Sequence, residues 1–311
     1  MEKNTFVASA YIDAPHADVL GYLGDLQNLN EWTLSSRMKE KIDASTWRGT
    51  ASGYHSDLFY HLEHIDAGGI TGVEWHCGYE AGNYHQVYPV LTFKPEYIDD
   101  ENTETGTYLQ WISFFDPKKS TKMLVEGVDV VHTSECRSLK ARLERRAGHR
   151  APRAGRHRVS SSTIYVDAAA ADVIDFVADA RTMGRWSHLL KHIEGDGTSA
   201  EFVDEYERHL LVLHRVTRSP RCSFVEQELR YGDGVVERSP FVVIPCAVAL
   251  GDPTARGCFL HRVIFWRDDG PPTHGRLSDH DFGAELINIK RMCEAAAGHL
   301  ETFARGCSYQ P

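Results

Sequence analysis

The chain has 311 residues, 42% of them hydrophobic and 25% charged, the balance of a globular protein and not of a disordered one. A formal net charge of −10 argues against broad affinity for nucleic acid, and seven cysteines, odd in number and without a C-x-x-C pair, argue against a disulfide scaffold or a cysteine-rich zinc site. No apolar run approaches the roughly 18 residues of a membrane helix and the N-terminus has no signal-peptide apolar core, so a cytoplasmic protein that meets no membrane is expected.

Thr5 to Asp13 alternates Phe6, Ala8, Ala10 and Ile12 with more polar neighbours, the period of a half-buried strand. Asp13-Ala14-Pro15 then predicts a helix start with Asp13 as cap, and Val19, Leu20, Tyr22 and Leu23 give that helix its apolar face. Asp25 opens a second short helix that ends at Trp32. Beyond it the period falls to two. Strands are predicted at Met38 to Asp43, Thr46 to Ser52, Ser56 to Ile65, Thr71 to Gly78, His85 to Phe93 and Thr107 to Phe115, followed by a long helix from Lys118 to Arg146.

Residues 145–158, RRAGHRAPRAGRHR, combine turn-formers with six arginines and no apolar period, which marks a linker. It reads either as a solvated basic linker or as a landing strip for an acidic partner such as a carrier protein. The opening order then returns. Tyr11–Trp32 (YIDAPHADVLGYLGDLQNLNEW) is matched by Tyr165–Trp186 (YVDAAAADVIDFVADARTMGRW) at a constant offset of 165 − 11 = 154. A repeat that long indicates two copies of a whole domain, here 1–147 and 158–311 joined by the basic linker 148–157. Predicted strands of the second copy are His157 to Asp167, Lys191 to Glu194, Ala200 to Glu207, Leu210 to Thr217, Ser223 to Arg230, Val235 to Ile244 and Gly257 to Trp266. Its long helix is predicted from Asp279 to Ala304, with Asp279 and Asp281 as caps and Gly306 past its end.

This order, with D-x-x-x-x-x-x-W closing the second short helix in both copies (Asp25 to Trp32, Asp179 to Trp186), resembles the helix-grip fold of the START and birch-pollen-allergen superfamily. The resemblance implies an α+β architecture of two tandem helix-grip domains, each a curved antiparallel sheet wrapped around a long C-terminal helix with an internal pocket. Tandem copies at this length resemble the didomain aromatase/cyclases of bacterial aromatic polyketide pathways. That implies a cofactor-independent enzyme that folds a poly-β-ketone, closes a ring by intramolecular aldol condensation and promotes dehydration. An acyl carrier protein is the implied partner, and a homodimer is open.

The densest ionisable cluster is His55 to His64, HSDLFYHLEH. Strand alternation puts Leu58, Tyr60, Leu62 and His64 on one face, so Tyr60 and His64 are the candidate inward proton-transfer groups. In the second copy Arg215 and Arg262 are candidates for stabilising an enolate, with Glu226 and Glu228 as structural partners if the role is not catalytic. Trp32, Trp75, Tyr88, Trp111, Trp186, His214 and Trp266 are candidate substrate-binding residues, although core packing accounts for aromatics equally well. The leading reading needs no metal. An alternative set, His55, Asp57, His61, Glu63, His76 and His85, would serve a metal-dependent lyase, hydrolase or cyclase, since i, i+2 strand neighbours lie about 6.7 Å apart. A non-catalytic carrier of a hydrophobic small molecule is the third reading.

Overall fold

The computed structural model describes residues 5–51, 56–98, 105–115, 122–155, 157–187, 190–204, 207–234, 236–267 and 279–298, with the side chains of 122–126, 158, 266–267 and 279–282 outside that description. The chain divides into two compact α+β units, formed principally by 1–159 and 160–311. No helix among the described residues is long and apolar enough to cross a membrane.

The first unit opens with β1 (Thr5–Ile12), α1 (His16–Leu23), a single 3-10 turn (Leu26–Asn28) and α2 (Leu29–Trp32). Strands β2 (Ser36–Lys41), β3 (Thr46–Ala51), β4 (Leu58–Ala67), β5 (Ile70–Gly78), β6 (Gln86–Phe93) and β7 (Thr107–Phe114) follow, with α3 (Pro95–Ile98) before the last. Helix α4 (Lys122–Arg146) closes the unit. The sheet is antiparallel in the order β1-β7-β6-β5-β4-β3-β2, so the chain returns to lay its last strand beside its first. Asp25 does cap the turn after α1, accepting from the Gln27 N–H at 3.0 Å. Asp13 does not cap α1. Its carboxylate is engaged by Arg153 at 2.9 Å and Thr105 at 3.1 Å, and Pro15 begins the helix without a side-chain cap.

The second unit repeats the plan with β8 (His157–Val166), α5 (Ala170–Ala178), a 3-10 turn (Ala180–Thr182) and α6 (Met183–Trp186). Strands β9 (Leu190–Gly195), β10 (Ser199–Asp204), β11 (His209–Thr217), β12 (Ser223–Tyr231), β13 (Val236–Arg238) and β14 (Phe241–Pro245) come next. After α7 (Cys246–Ala249) come β15 (Cys258–Arg267) and α8 (Asp279–Ala296). The main path is β8-β15-β14-β12-β11-β10-β9, with β13 off β12. The strand expected from Val235 to Ile244 is interrupted at Ser239-Pro240, since proline has no N–H to give to a ladder. Gly306 and the predicted end of α8 lie outside the described residues.

Each unit has its own core. In the first, α1 and α2 supply Val19, Leu23 and Trp32, the sheet supplies Tyr60, Val73, Trp75, Val90 and Trp111, and α4 supplies Cys136, Leu139 and Leu143. In the second, α5 and α6 supply Val173 and Trp186, the sheet Phe202, Phe241 and Leu260, and α8 Leu286 and Ile289. Burying each of these large side chains contributes about 1.5–3 kcal/mol, which secures a C-terminal helix whose other faces are strongly polar.

Candidate functional site

Three indoles fill the centre of the first unit. Trp32 lies 5.7 Å from both Trp75 and Trp111, and Trp75 meets Trp111 edge-on at 5.4 Å. From α4, His132 stacks on Trp111 with centroids 4.0 Å apart, while its Nδ1 shares a hydrogen bond with Ser113 at 2.9 Å. Burial pushes this imidazole down to about 4, so it is neutral at pH 7. Glu135, three residues on, is fully buried. Its Oε1 accepts from the N–H groups of Leu34 and Ser35 at 2.7 and 2.8 Å and from the Ser35 hydroxyl at 2.8 Å. Its Oε2 has no hydrogen-bond partner among the described residues, and neither do the indole N–H groups of Trp75 and Trp111. Burial raises the Glu135 carboxyl, outweighing the Ser35 and Leu34 hydrogen bonds and the charge of Arg37 that pull it down.

The sequence-predicted residues fall into different places. Tyr60 is inward and buried, but its hydroxyl donates to Thr50 O at 3.1 Å. His64 shares the face of Leu62 and stands where that face leaves the core; it is exposed, beside Gly24 at the end of α1. Trp32, Trp75, Tyr88 and Trp111 gather in the first interior, with Tyr88 edge-on to both Trp111 and His132. Arg215 is solvent-exposed, its side chain 76% accessible and 4.0 Å from Glu226, so it does not line the interior. The side chain of Trp266, and all of His55, lie outside the described residues. His132 and Glu135 were missed, although they sit on the same three- and four-residue stripe as Cys136, Leu139 and Leu143.

The second interior is occupied by a closed polar chain. Arg262, 1% exposed, donates to Glu285 at 2.5 Å, to Ser239 Oγ at 2.9 Å and to Gln227 Oε1 at 3.3 Å. The Gln227 amide nitrogen meets His214 Nε2 at 2.9 Å, and His214 Nδ1 lies 3.0 Å from Ala178 O. A carbonyl only accepts, so Nδ1 carries the proton and Nε2 accepts from Gln227. Desolvation holds His214 near 4, against the pull of that carbonyl and of Asp179, so the imidazole is neutral. Trp186 and Phe241 complete the shell, with the guanidinium 5.1 and 4.8 Å from their rings. Arg262 and His214 are thus linked through Gln227 and the cation already has its carboxylate, while the buried Nε1 of Trp186 has no hydrogen-bond partner among the described residues.

The two interiors are built on the same positions. Lys140 Nζ donates to Tyr11 O and Lys290 Nζ to Tyr165 O, each five residues after a buried glutamate, Glu135 and Glu285, with 285 − 135 = 290 − 140 = 150. Gly106 and Gly257 each abut the end of their unit's first strand, and five residues on stand Trp111 and Arg262, with 262 − 111 = 257 − 106 = 151. The helix glutamate is therefore kept in both copies. In the first copy a tryptophan replaces its arginine.

On the opposite face of β4 and β5 lies a second cluster. The ladder sets His61 directly across from His76 and Glu63 directly across from Glu74. Ligand atoms of Glu63, Glu74 and His76 lie within 4.8 Å of one another. Of the alternative metal set, Asp57 is taken up by Lys39 at 2.6 Å and His85 stacks on Tyr79 at 4.8 Å, so neither joins this cluster, which Glu74 completes instead. Arg153 of the basic linker pairs with Asp13 at 2.9 Å, and Arg146 at the end of α4 pairs with Glu31 at the same distance.

No curated protein matches the sequence. Among solved structures, the di-domain ARO/CYC BexL from the BE-7585A biosynthetic pathway is 11% identical, covering 93% of this chain and 98% of that one at a TM-score of 0.33. The di-domain ARO/CYC StfQ from the steffimycin biosynthetic pathway is 10% identical over 94% and 99%, with a TM-score of 0.32. A START superfamily protein from Mycobacterium smegmatis is 14% identical and aligns over 46% of this chain and 98% of its own, with a TM-score of 0.33. Likeness at this level carries no argument about activity. A family model described as a domain of unknown function (DUF8713) matches twice, over residues 1–152 and 159–302, and the chain belongs to that family.

Proposed function

We propose that the first unit takes a flat, oxygen-bearing hydrophobic small molecule into its helix-grip interior and acts on it as a cofactor-independent cyclase or aromatase. One observation carries the reading: the buried Glu135 keeps an Oε2 with no described partner, one helical turn after the His132 that stacks on Trp111, and the indole N–H groups of Trp75 and Trp111 are unmet, whereas in the second unit Arg262 pairs with the corresponding Glu285. A carboxyl raised by burial is suited to take a proton from carbon between two carbonyls and return it to the new alkoxide or to departing water. Indole N–H groups would donate to carbonyl oxygens as negative charge develops there, and the aromatic walls would hold the chain folded so that the two reacting carbons meet. Ring closure forms one carbon–carbon bond, and dehydration then removes the hydroxyl with a neighbouring proton. The second unit, whose buried arginine and glutamate are already paired with each other, serves as support.

The test is incubation of the full chain with a synthetic poly-β-ketone thioester, following binding by tryptophan quenching and products by mass. Wild-type protein should release a ring product smaller by one water. Glu135→Gln should still quench but turn over about 10²–10⁴-fold more slowly. Equal turnover in that variant would remove Glu135 from the chemistry, and binding with unchanged release would make the protein a carrier.

A further inference from the structure

The geometry points to a second site, independent of the interior: a binding site for one first-row divalent transition metal ion, formed by His61, Glu63, Glu74 and His76 on the opposite face of the β4–β5 hairpin. Side chains alternate along these strands, so Tyr60, Leu62, Val73, Trp75 and Cys77 enter the core while the four ligands share the other face. The ladder register makes them a square, with each histidine across from a histidine and each glutamate across from a glutamate. His61 Nε2 lies 3.5 Å from Glu63 Oε1, and His76 Nε2 lies 3.3 Å from Glu74 Oε2. Ligand atoms held at about 2.1 Å by one zinc ion stand about 3.4 Å apart in a tetrahedron; those of Glu63, Glu74 and His76 already lie within 4.8 Å of one another, and His61, 3.5 Å from Glu63, would swing in as the fourth.

The histidine most open to solvent is also oriented from behind. Thr46, buried, meets His61 Nδ1 at 3.1 Å, and Tyr84 stacks on the same ring at 5.5 Å, which leaves Nε2 turned to Glu63. A hydrogen bond to the far nitrogen is how metal-binding imidazoles are commonly fixed. Glu74 and His76 are each 4% accessible, whereas Glu63 and His61 are 35% and 24% accessible, so the cluster has a dry side and an entry side. Two imidazoles with two carboxylates suit zinc, and cobalt, manganese or iron in the same divalent class, better than calcium or magnesium, which favour oxygen alone.

The full chain, without a histidine tag and stripped with chelator, would be titrated with Zn²⁺ by calorimetry and with Co²⁺ by visible absorption. One ion per chain is expected, with cobalt bands of a four- or five-coordinate nitrogen–oxygen site. His61→Gln and Glu74→Gln should each weaken binding at least about tenfold, while His85→Ala leaves it unchanged. His61 is partly exposed, so its variant gives a reading even if Glu74→Gln fails to fold. Absence of a stoichiometric ion, or unchanged affinity in His61→Gln, overturns the assignment. So does loss of binding in His85→Ala.

Discussion

Glu135 and Glu285 occupy the same position in α4 and α8, and among the described residues Glu285 is ion-paired with an arginine, Arg262, while Glu135 Oε2 has no partner. Removing the charge should therefore have unequal consequences in the two units. Glu285→Gln leaves the Arg262 guanidinium buried without its counter-charge and should cost the second unit about 3–5 kcal/mol. Glu135→Gln retains an oxygen for the Leu34 and Ser35 donors and should change the first unit by less than about 1 kcal/mol. Hydrogen exchange, read strand by strand, separates the two. Equal losses would mean that the glutamates are not counterparts. As an internal control, Arg215→Ala should stay within about 1 kcal/mol, since that side chain is in solvent.

Trp75→Phe and Trp111→Phe test the interior as a ligand site. Each indole N–H already pays for desolvation without a described partner, about 1–3 kcal/mol, which offsets the packing lost with the smaller ring. Stability should be close to unchanged, while ligand affinity falls about tenfold if the N–H donates to a carbonyl, read by calorimetric titration of the same poly-β-ketone mimic. Lost stability with intact affinity would make these indoles core only.

What could be read from the sequence was what depends on local period and fixed spacing. The Asp25 and Asp179 caps, each followed by a tryptophan seven residues on, recur at one offset, so the tandem plan was visible before any contact was known. The interior chemistry was not, because it depends on which strand residue meets which helix residue. Arg262 in β15 finds Glu285 in α8, and no local pattern states that pairing. His64 shows another limit: alternation placed it on the correct face, but not where that face runs out of core beside Gly24. Glu74 alternates with Val73 and Trp75 in plain view, yet its partnership with Glu63 required the ladder register.

Acid should unfold the second unit partly through His214. Burial holds its folded pKa near 4, below the ordinary 6.5, so the native state binds fewer protons than the unfolded chain. Its contribution is intact above about pH 6.5 and declines as pH falls towards 4, by up to about 1.4 kcal/mol per unit. His214→Gln should be less stable at pH 7, having lost the bond to Ala178 O, but its decline between pH 6.5 and 4 should be shallower by about one proton. Parallel curves from urea titrations across that range would show that His214 is not the group being charged.

A lysine and a glutamate one turn apart fasten the first strand to the closing helix in both units. Glu144 accepts the Asp13 N–H at 2.9 Å and pairs with Lys140, whose ammonium also holds Tyr11 O at 2.6 Å; Glu294, Asp167, Lys290 and Tyr165 repeat the arrangement. Each lysine also lies over the ring of its tyrosine, at 5.5 and 5.4 Å. The clamps differ in exposure, with Glu144 2% and Glu294 14% accessible. Glu144→Ala should thus cost about 2–4 kcal/mol, for it strips a buried backbone donor and a half-buried ammonium together, while Glu294→Ala, with water nearer, should cost about 1–2 kcal/mol. Because Glu144 Oε2 also accepts from the Arg153 N–H at 3.2 Å, its loss should raise exchange at the linker as well as in β1. Exchange that rises in β1 while the linker stays protected would mean that the Arg153 ion pair to Asp13 holds that segment without help from the clamp.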